Sequence, residues 1–467
     1  MKRLEWIIFP AGLLLVAGLV AVEGPMRAVH LLLLTLLGIS VSAAVGGISY
    51  TLLASVLISR FFARPTSVAS CYPPVTVVKP LHGNEWNLLN NLSSFCQQDY
   101  PGDVQYLFGV HDAADPALET VDELRTLYPE AHITVVADGR LYGPNRKISN
   151  IVNMMPQAAH DVMIFADSDV SVSPDYLRSI VGELQKPGVG LVTCIYRGNA
   201  APGFWPRLAV NAINYQFVPG VVTGLTLGLA KPCMGPTIAM RRATVDKIGG
   251  FEQFAHHLAE DHAIGRAVRM AGERVVIPPL SISHACVETS VASLISHELR
   301  WSRTIRSIDP AGHLGSALMH PFAFATLAIV LSGAASWSWL LAAIALLARL
   351  AEGSGGPGVV PHRSRPVAAA SMGYCAVPDI PRELQFHAGC VAWLHFSSGP
   401  ERHATFNRTR IGARLDQMGP PGAICRSNVR ITSVANPVFY VKPSNLTSLT
   451  PPLVQVLSAN PDGCGAI

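Results

Sequence analysis

Charge is what this sequence is shortest of. Asp, Glu, Lys and Arg make up 14% of its 467 residues, where a soluble domain carries about 25%. A wholly soluble chain is excluded, and part of the protein belongs in lipid. The charge present nearly balances, at a net +4. No basic run interleaved with aromatics occurs, so there is no case for a nucleic-acid partner. Cysteine is sparse too. The nine cysteines form no Cys-x-x-Cys pair, which argues against a disulfide framework and against a zinc site. Also missing is a Gly-x-x-x-x-Gly-Lys-Ser/Thr loop, which would cradle phosphates through backbone amides.

Apolar residues, at 49%, are plentiful. Residues 7–22 form an uncharged apolar run, and residues 29–62 form a longer one broken only by Arg60. A bilayer core takes roughly 20 residues of helix, so the second run suffices and the first is borderline. Lys2 and Arg3 before the first run also fit a signal peptide. A second span follows at once, which favours a retained helix. Lys2, Arg3, Arg60 and Arg64 flank the pair, against Arg27 alone in its loop. Both ends are therefore expected in the cytoplasm. A third apolar region covers residues 318–350. As one straight helix it would be about 50 Å long, against a hydrocarbon core of about 30 Å. Either it folds into a tight hairpin around Ser336 to Ser338, or one end lies in the interface.

Between the apolar regions, the pattern predicts a soluble α/β domain. Strands are expected at 75–78, 104–110, 132–137, 162–166 and 190–194. Helices are expected at 85–97, 116–128, 145–155 and 174–184. Such alternation predicts a parallel sheet covered on both faces, with ligands at the carboxyl ends of its strands. The chain divides into N-terminal transmembrane segments (1–65), a catalytic domain (71–310), a C-terminal transmembrane region (317–350) and an atypical, disordered or divergent tail (351–467).

Acidic residues stand at those carboxyl ends. Asp112 follows the second strand, and Asp167-Ser168-Asp169 follows the fourth. An Asp-x-Asp pair suits a divalent cation, since Mg²⁺ and Mn²⁺ take carboxylate and phosphate oxygens. Such a cation offsets charge on a leaving diphosphate. Acidic turn residues after a strand are also common without any ligand. Glu260-Asp261 sits near a predicted helix start, which fits either helix capping or a general base. Further on, Arg300, Arg303 and Arg306 recur every three residues. Leu294, Trp301, Ile305 and Ile308 share another helix face. This suits a helix in the membrane surface, its arginines toward headgroups or a diphosphate. A structural juxtamembrane helix fits equally.

In order along the chain, Asp112, Asp167, Asp261 and Arg300-Trp301 resemble the Asp, Asp, Asp, Gln/Arg-x-x-Arg-Trp signature of family 2 type glycosyltransferases. Residues 78–101 (VKPLHGNEWNLLNNLSSFCQQDYP), 109–117, 144–151, 165–177, 231–242 and 259–267 resemble the ceramide glucosyltransferase family in the family's order. The bacterial type of hopanoid lipid synthesis looks closest. The resemblance implies a glycosyltransferase A-type, Rossmann-like domain in the cytoplasm, between N- and C-terminal transmembrane helices, in a multi-pass protein of a bacterial inner membrane. It implies an inverting transfer from a UDP-sugar to a membrane lipid, with Mn²⁺ or Mg²⁺. Asp112 would contact the uridine, and Lys147 would help hold the nucleotide. Asp167 would lie at the diphosphate and metal, with Asp169 as a second metal ligand. Asp261 would be the base. Arg300, which also binds the donor, and Trp301 would close the site. The first position of the last motif is His297 instead of Gln or Arg, which puts its role in doubt.

The tail holds 13 of the 35 prolines and 4 of the 9 cysteines and shows no strong period. Residues 382–396 still resemble the family's last membrane-proximal segment. Two further readings stand beside lipid glycosylation. A polymerising synthase of the cellulose or hyaluronan type would carry more membrane helices. An inactive membrane scaffold would be expected to have lost an acidic motif residue.

Overall fold

The computed structural model describes residue 22 and residues 24–355. Nearly all of the first apolar run, and the tail from residue 356 with its 382–396 fragment, lie outside the described residues.

Helix α1 (Pro25–Phe62) has 38 residues and is about 57 Å long. That is nearly twice a hydrocarbon core. The excess is accounted for at its C-terminal end, where Leu57, Ile58 and Phe61 are buried in the core of the α/β domain. Among the described residues, α1 alone is by itself long and apolar enough to cross a membrane.

The domain follows as β1 (Val75–Pro80), α2 (Leu88–Cys96), β2 (Val104–Val110), α3 (Ala117–Leu127), β3 (His132–Ala137), α4 (Arg146–Met154), β4 (Val162–Ala166), the two-residue β5 (Val170–Ser171), α5 (Tyr176–Leu184), β6 (Val189–Thr193) and β7 (Ile195–Ala200). Then come α6 (Phe204–Ala212), α7 (Val218–Thr226), β8 (Thr237–Arg241), α8 (Arg242–Lys247), α9 (Glu260–Met270), β9 (Arg274–Val276), β10 (Ser281–Cys286) and α10 (Val291–Ile308). The main sheet has the order β3-β2-β1-β4-β8-β6-β9. Its apolar side chains alternate between two cores. Val77 and Ile164 pack with α2, α3 and α5, and Val78 and Met163 pack with α4 and α9 on the opposite face. A sheet buried on both faces reads as continuous apolar strands.

Two features depart from the expected parallel sheet. Strand β8 lies antiparallel between β4 and β6. A second sheet, β5-β10-β7, flanks the first. Its strands are short or carry Arg197, Asn199 and His284, so they give no apolar run to find. The uncharged stretch 208–230 forms most of α6 and α7, joined by a π-helical turn, Ile213–Phe217.

Helices α11 (Pro310–Gly315), α12 (Pro321–Leu331) and α13 (Ser336–Gly355) complete the described chain. The region 318–350 is indeed a hairpin, but it turns at residues 332–335, just before Ser336. There Gly333 and Ala334 have φ of 64° and 61°, a left-handed pair that ends α12. Ala44 of α1 packs against Ala325, Ala342 and Ala345, small side chains that let helices approach closely. Gly47 allows a close approach too, because a Cβ there would lie 2.5 Å from the Leu318 carbonyl oxygen.

Candidate active site

From β1 the chain runs outward through β2 to β3, then returns to lay β4 on the other side of β1. That reversal opens a crevice at the carboxyl ends of β1 and β4, the usual ligand position in such sheets. The Asp167-Ser168-Asp169 turn leaves β4 there, and α9 brings Glu260 and Asp261 in its first turn.

Lys147, on the first turn of α4, joins the two. Its Nζ lies 2.5 Å from Asp167 Oδ1 and 3.6 Å from Glu260 Oε1, and donates to the Gly235 carbonyl at 3.2 Å. The local sequence sets this placement. Asn145 caps α4 by accepting from the Ile148 amide at 3.0 Å, and its side-chain amide donates to Glu260 at 3.2 Å. Lys147, Phe165, Gly235, Glu260, Asp261 and Ile264 line one small cleft.

Burial shapes the electrostatics. It works against the charge on Lys147, but Asp167 and Glu260 more than offset it and hold the ammonium above its usual range. Asp167 is pushed up by burial despite the Lys147 ammonium. Asp261 is raised to about 6, first by burial and then by the like charge of Glu260. Asp169 behaves oppositely. Burial would raise it, but His284, whose Nδ1 is 3.1 Å away, holds it below the usual carboxylate range.

Asp112 lies at the end of β2, exposed, with Oδ1 accepting from the Ala114 amide at 2.9 Å. Trp301 projects from α10 into an aromatic group, its ring 4.9 Å from His297, 5.9 Å from Phe217 and 6.2 Å from Tyr196. Tyr196 in turn stands edge-on to His284, at 5.4 Å. Trp301 is thereby linked to Asp169 through two rings. Arg300 is not brought to the cluster. It is exposed, and its guanidinium makes no hydrogen bond or ion pair among the described residues. His297 is fixed by Glu288, at 2.6 Å from Nδ1. Glu288 is itself buried, and its Oε2 has no hydrogen-bond partner among the described residues.

The sequence reasoning passed over Lys79, Glu288 and His284. Lys79 ends β1 and is completely buried. Its Nζ donates to the Asp167 carbonyl at 2.8 Å and stands 3.8 Å from the centre of the Phe95 ring. Burial pulls its pKa down to about 7, against the nearby Asp167 and Asp169. Lys79 is the one charged residue in β1, a visible anomaly in a buried strand, so this one could have been found. His284 and Glu288 carry no such signal, since neither β10 nor its exit was legible.

A doubly covered α/β sheet with acidic turns at its switch point has the ligand crevice of a Rossmann-like enzyme. The sequence narrows the class. Residues 39–372 match the model of glycosyl transferase family 21, and the chain belongs to that family. It is 25% identical over 230 residues to ceramide glucosyltransferase 1 of Caenorhabditis elegans, covering 49% of each chain. It is 26% identical over 239 residues to ceramide glucosyltransferase 3 of the same organism, covering 50% of each. The chain thus spans about half the length of the curated relatives it matches. Among solved structures, the mannosyltransferase PcManGT from Pyrobaculum calidifontis, in complex with GDP-Man and Mn²⁺, is 19% identical with a TM-score of 0.43, over 68% of this chain and 98% of that one.

Proposed function

We propose that this protein transfers a sugar from a UDP-sugar to the hydroxyl of a membrane lipid, with inversion at the anomeric carbon. The observation that carries the proposal is the Lys147 bridge. It holds the Asp167 turn and the Glu260-Asp261 helix start on the two sides of one cleft, as a diphosphate-binding group and a base must be held. In this reading Lys147 turns from Asp167 to the diphosphate when donor binds. Asp261 accepts the proton of the attacking hydroxyl, for which a pKa raised toward neutrality is suitable. Trp301 supplies an apolar wall on the acceptor side. Arg300 closes over the donor from the rim, and Asp112 receives the uridine.

A divalent cation fits the turn. Mg²⁺ is typically bound by one or two carboxylates together with substrate phosphates. Asp167 and Asp169 are such a pair, and Asp169 Oδ1 is a buried oxygen without a hydrogen-bond partner among the described residues. When bound, Mn²⁺ or Mg²⁺ would neutralise charge on the departing diphosphate. No group of three or more ligating side chains occurs among the described residues, so the remaining ligands would have to be phosphate oxygens or water.

The acceptor is a lipid in this reading because the core of the domain is continuous with the end of α1. Arg60 and Arg64 favour the cytoplasmic side, where UDP-sugars are made, and the hairpin α12–α13 adds to a multi-pass anchor. The names of the relatives favour glucose and ceramide. The phrases resembling the hopanoid type favour N-acetylglucosamine and a hopanoid alcohol. The test is to supply the purified protein in lipid nanodiscs with each UDP-sugar and each lipid, and to analyse products by mass spectrometry. A glycolipid carrying one sugar is expected. Polymer, or transfer only to soluble sugar or protein, would overturn the proposal.

A further inference from the structure

The Asp167-Ser168-Asp169 turn is pinned through its backbone from several directions. The Asp167 carbonyl accepts from Lys79 Nζ at 2.8 Å, and the Ser168 carbonyl from Asn91 Nδ2 at 3.3 Å. The Asp169 carbonyl accepts from the Ala285 amide at 3.0 Å, and the Asp167 amide donates to the Pro236 carbonyl at 3.1 Å. Two of these pins are side chains, and both are sealed from solvent: Lys79 is 0% exposed and Asn91 1%. They come from β1 and α2, beneath the turn, on the side away from Lys147.

A buried lysine is costly unless its surroundings use it. Here the Phe95 ring covers it at 3.8 Å, a distance at which a ring face attracts a cation. Asp167 and Asp169 are also close enough to favour its charge. A strand residue needing only to fill the core could be Val, like its neighbours. Lys79 reaches past the core to one carbonyl, that of the residue whose carboxylate faces the cleft.

We propose that Lys79 and Asn91 are positioning residues. They preset the Asp-Ser-Asp turn from below, so that the Asp167 and Asp169 carboxylates stand ready for a divalent cation and diphosphate before either arrives. Lys147 is only partly buried, at 29% side-chain exposure. It is free to change partners on the open side, while Lys79 stays fixed. The proposal rests on the diphosphate reading of the site.

The test uses the full chain in nanodiscs. Mn²⁺ binding in the presence of UDP is followed by the loss of the free-ion electron paramagnetic resonance signal, and UDP binding by calorimetry. Lys79→Met should weaken Mn²⁺ binding about tenfold, as loss of a hydrogen bond that orders the turn implies. Lys79→Arg, which keeps a donor, should recover part of it. A folded Lys79→Met protein within about twofold of wild type for Mn²⁺ overturns the proposal. If that variant does not fold, Asn91→Ala, which unpins the same turn, is measured in the same way. A Mn²⁺ affinity within about twofold of wild type there overturns it equally. Wild-type protein that binds Mn²⁺ and UDP but makes no glycolipid would sink the proposed function and leave the positioning role standing.

Discussion

Replacing Asp261 by Asn removes the proposed base while keeping the side chain's shape. A general base contributes typically 10²–10⁴-fold, about 3–5 kcal/mol in the barrier. The structure adds a pH signature. Asp261 is raised from 3.8 to about 6, first by burial and then by Glu260. Its carboxylate form is therefore about nine-tenths populated at pH 7 and about one-tenth at pH 5. Initial rates at low donor concentration, measured from pH 4.5 to 8, should rise through a midpoint near 6. Glu260→Gln should move that midpoint downward by removing a like charge. The stability sign is opposite to the activity sign. A carboxyl whose folded pKa is raised loses stability as pH climbs from the unfolded value, near 3.8, to the folded one, near 6. Above that window the loss is about 3 kcal/mol for a shift of this size. Asp261→Asn should therefore melt no lower than wild type at pH 7.5 while losing at least a hundredfold in turnover. If the variant keeps more than about a tenth of wild-type turnover, or if the acid limb lies near pH 4, Asp261 is not the base.

Chelation with EDTA should abolish transfer and added Mn²⁺ or Mg²⁺ should restore it, and full activity in EDTA would remove the metal from the mechanism. Lys147→Met deletes the bridge at 2.5 Å to Asp167, and should raise the KM for UDP-sugar about tenfold or more with less effect on the KM for lipid. Unequal effects in the opposite sense would place Lys147 on the acceptor side. Glu288→Gln leaves His297 without its anion, and should lower kcat several-fold by loosening Trp301. An unchanged kcat would show that the pair at 2.6 Å has no bearing on transfer.

The apolar strands were legible because burial on both faces leaves an uninterrupted signature: β2, β3 and β4 run over the residues that the pattern predicts. The positions of Asp167 and Asp261, at a strand exit and a helix start, were legible for a related reason, since carboxylates there stand out against apolar neighbours. Strand β8 was missed because its antiparallel insertion depends on the long excursion through α6 and α7, which no local pattern encodes. His284 lies on a strand whose pairing with β5 and β7 is entirely non-local, so its approach to Asp169 is a property of the fold. The exposed position of Arg300 follows from helix geometry. Trp301 faces the aromatic group, and its neighbour, 100° around α10, turns outward.

In the proposed reading, the aromatic group also links the acceptor side to α1. Phe217 belongs to the π-helical turn between α6 and α7, and its ring meets both Tyr196, at 4.6 Å, and Trp301, at 5.9 Å. A π-turn inserts an extra residue into a helix and occurs often at functional sites. Here it brings Phe217 against Trp301 while α7 continues onward to pack along α1. One uncharged stretch, residues 208–230, thus touches α1 through α7 and the proposed acceptor wall through Phe217. In the proposed reading, the hydrocarbon chain of a lipid acceptor would follow the apolar residues of that stretch from α1 toward Trp301, with its polar head toward the base. A soluble sugar acceptor would gain nothing from such a path, which is the physical reason for preferring a lipid.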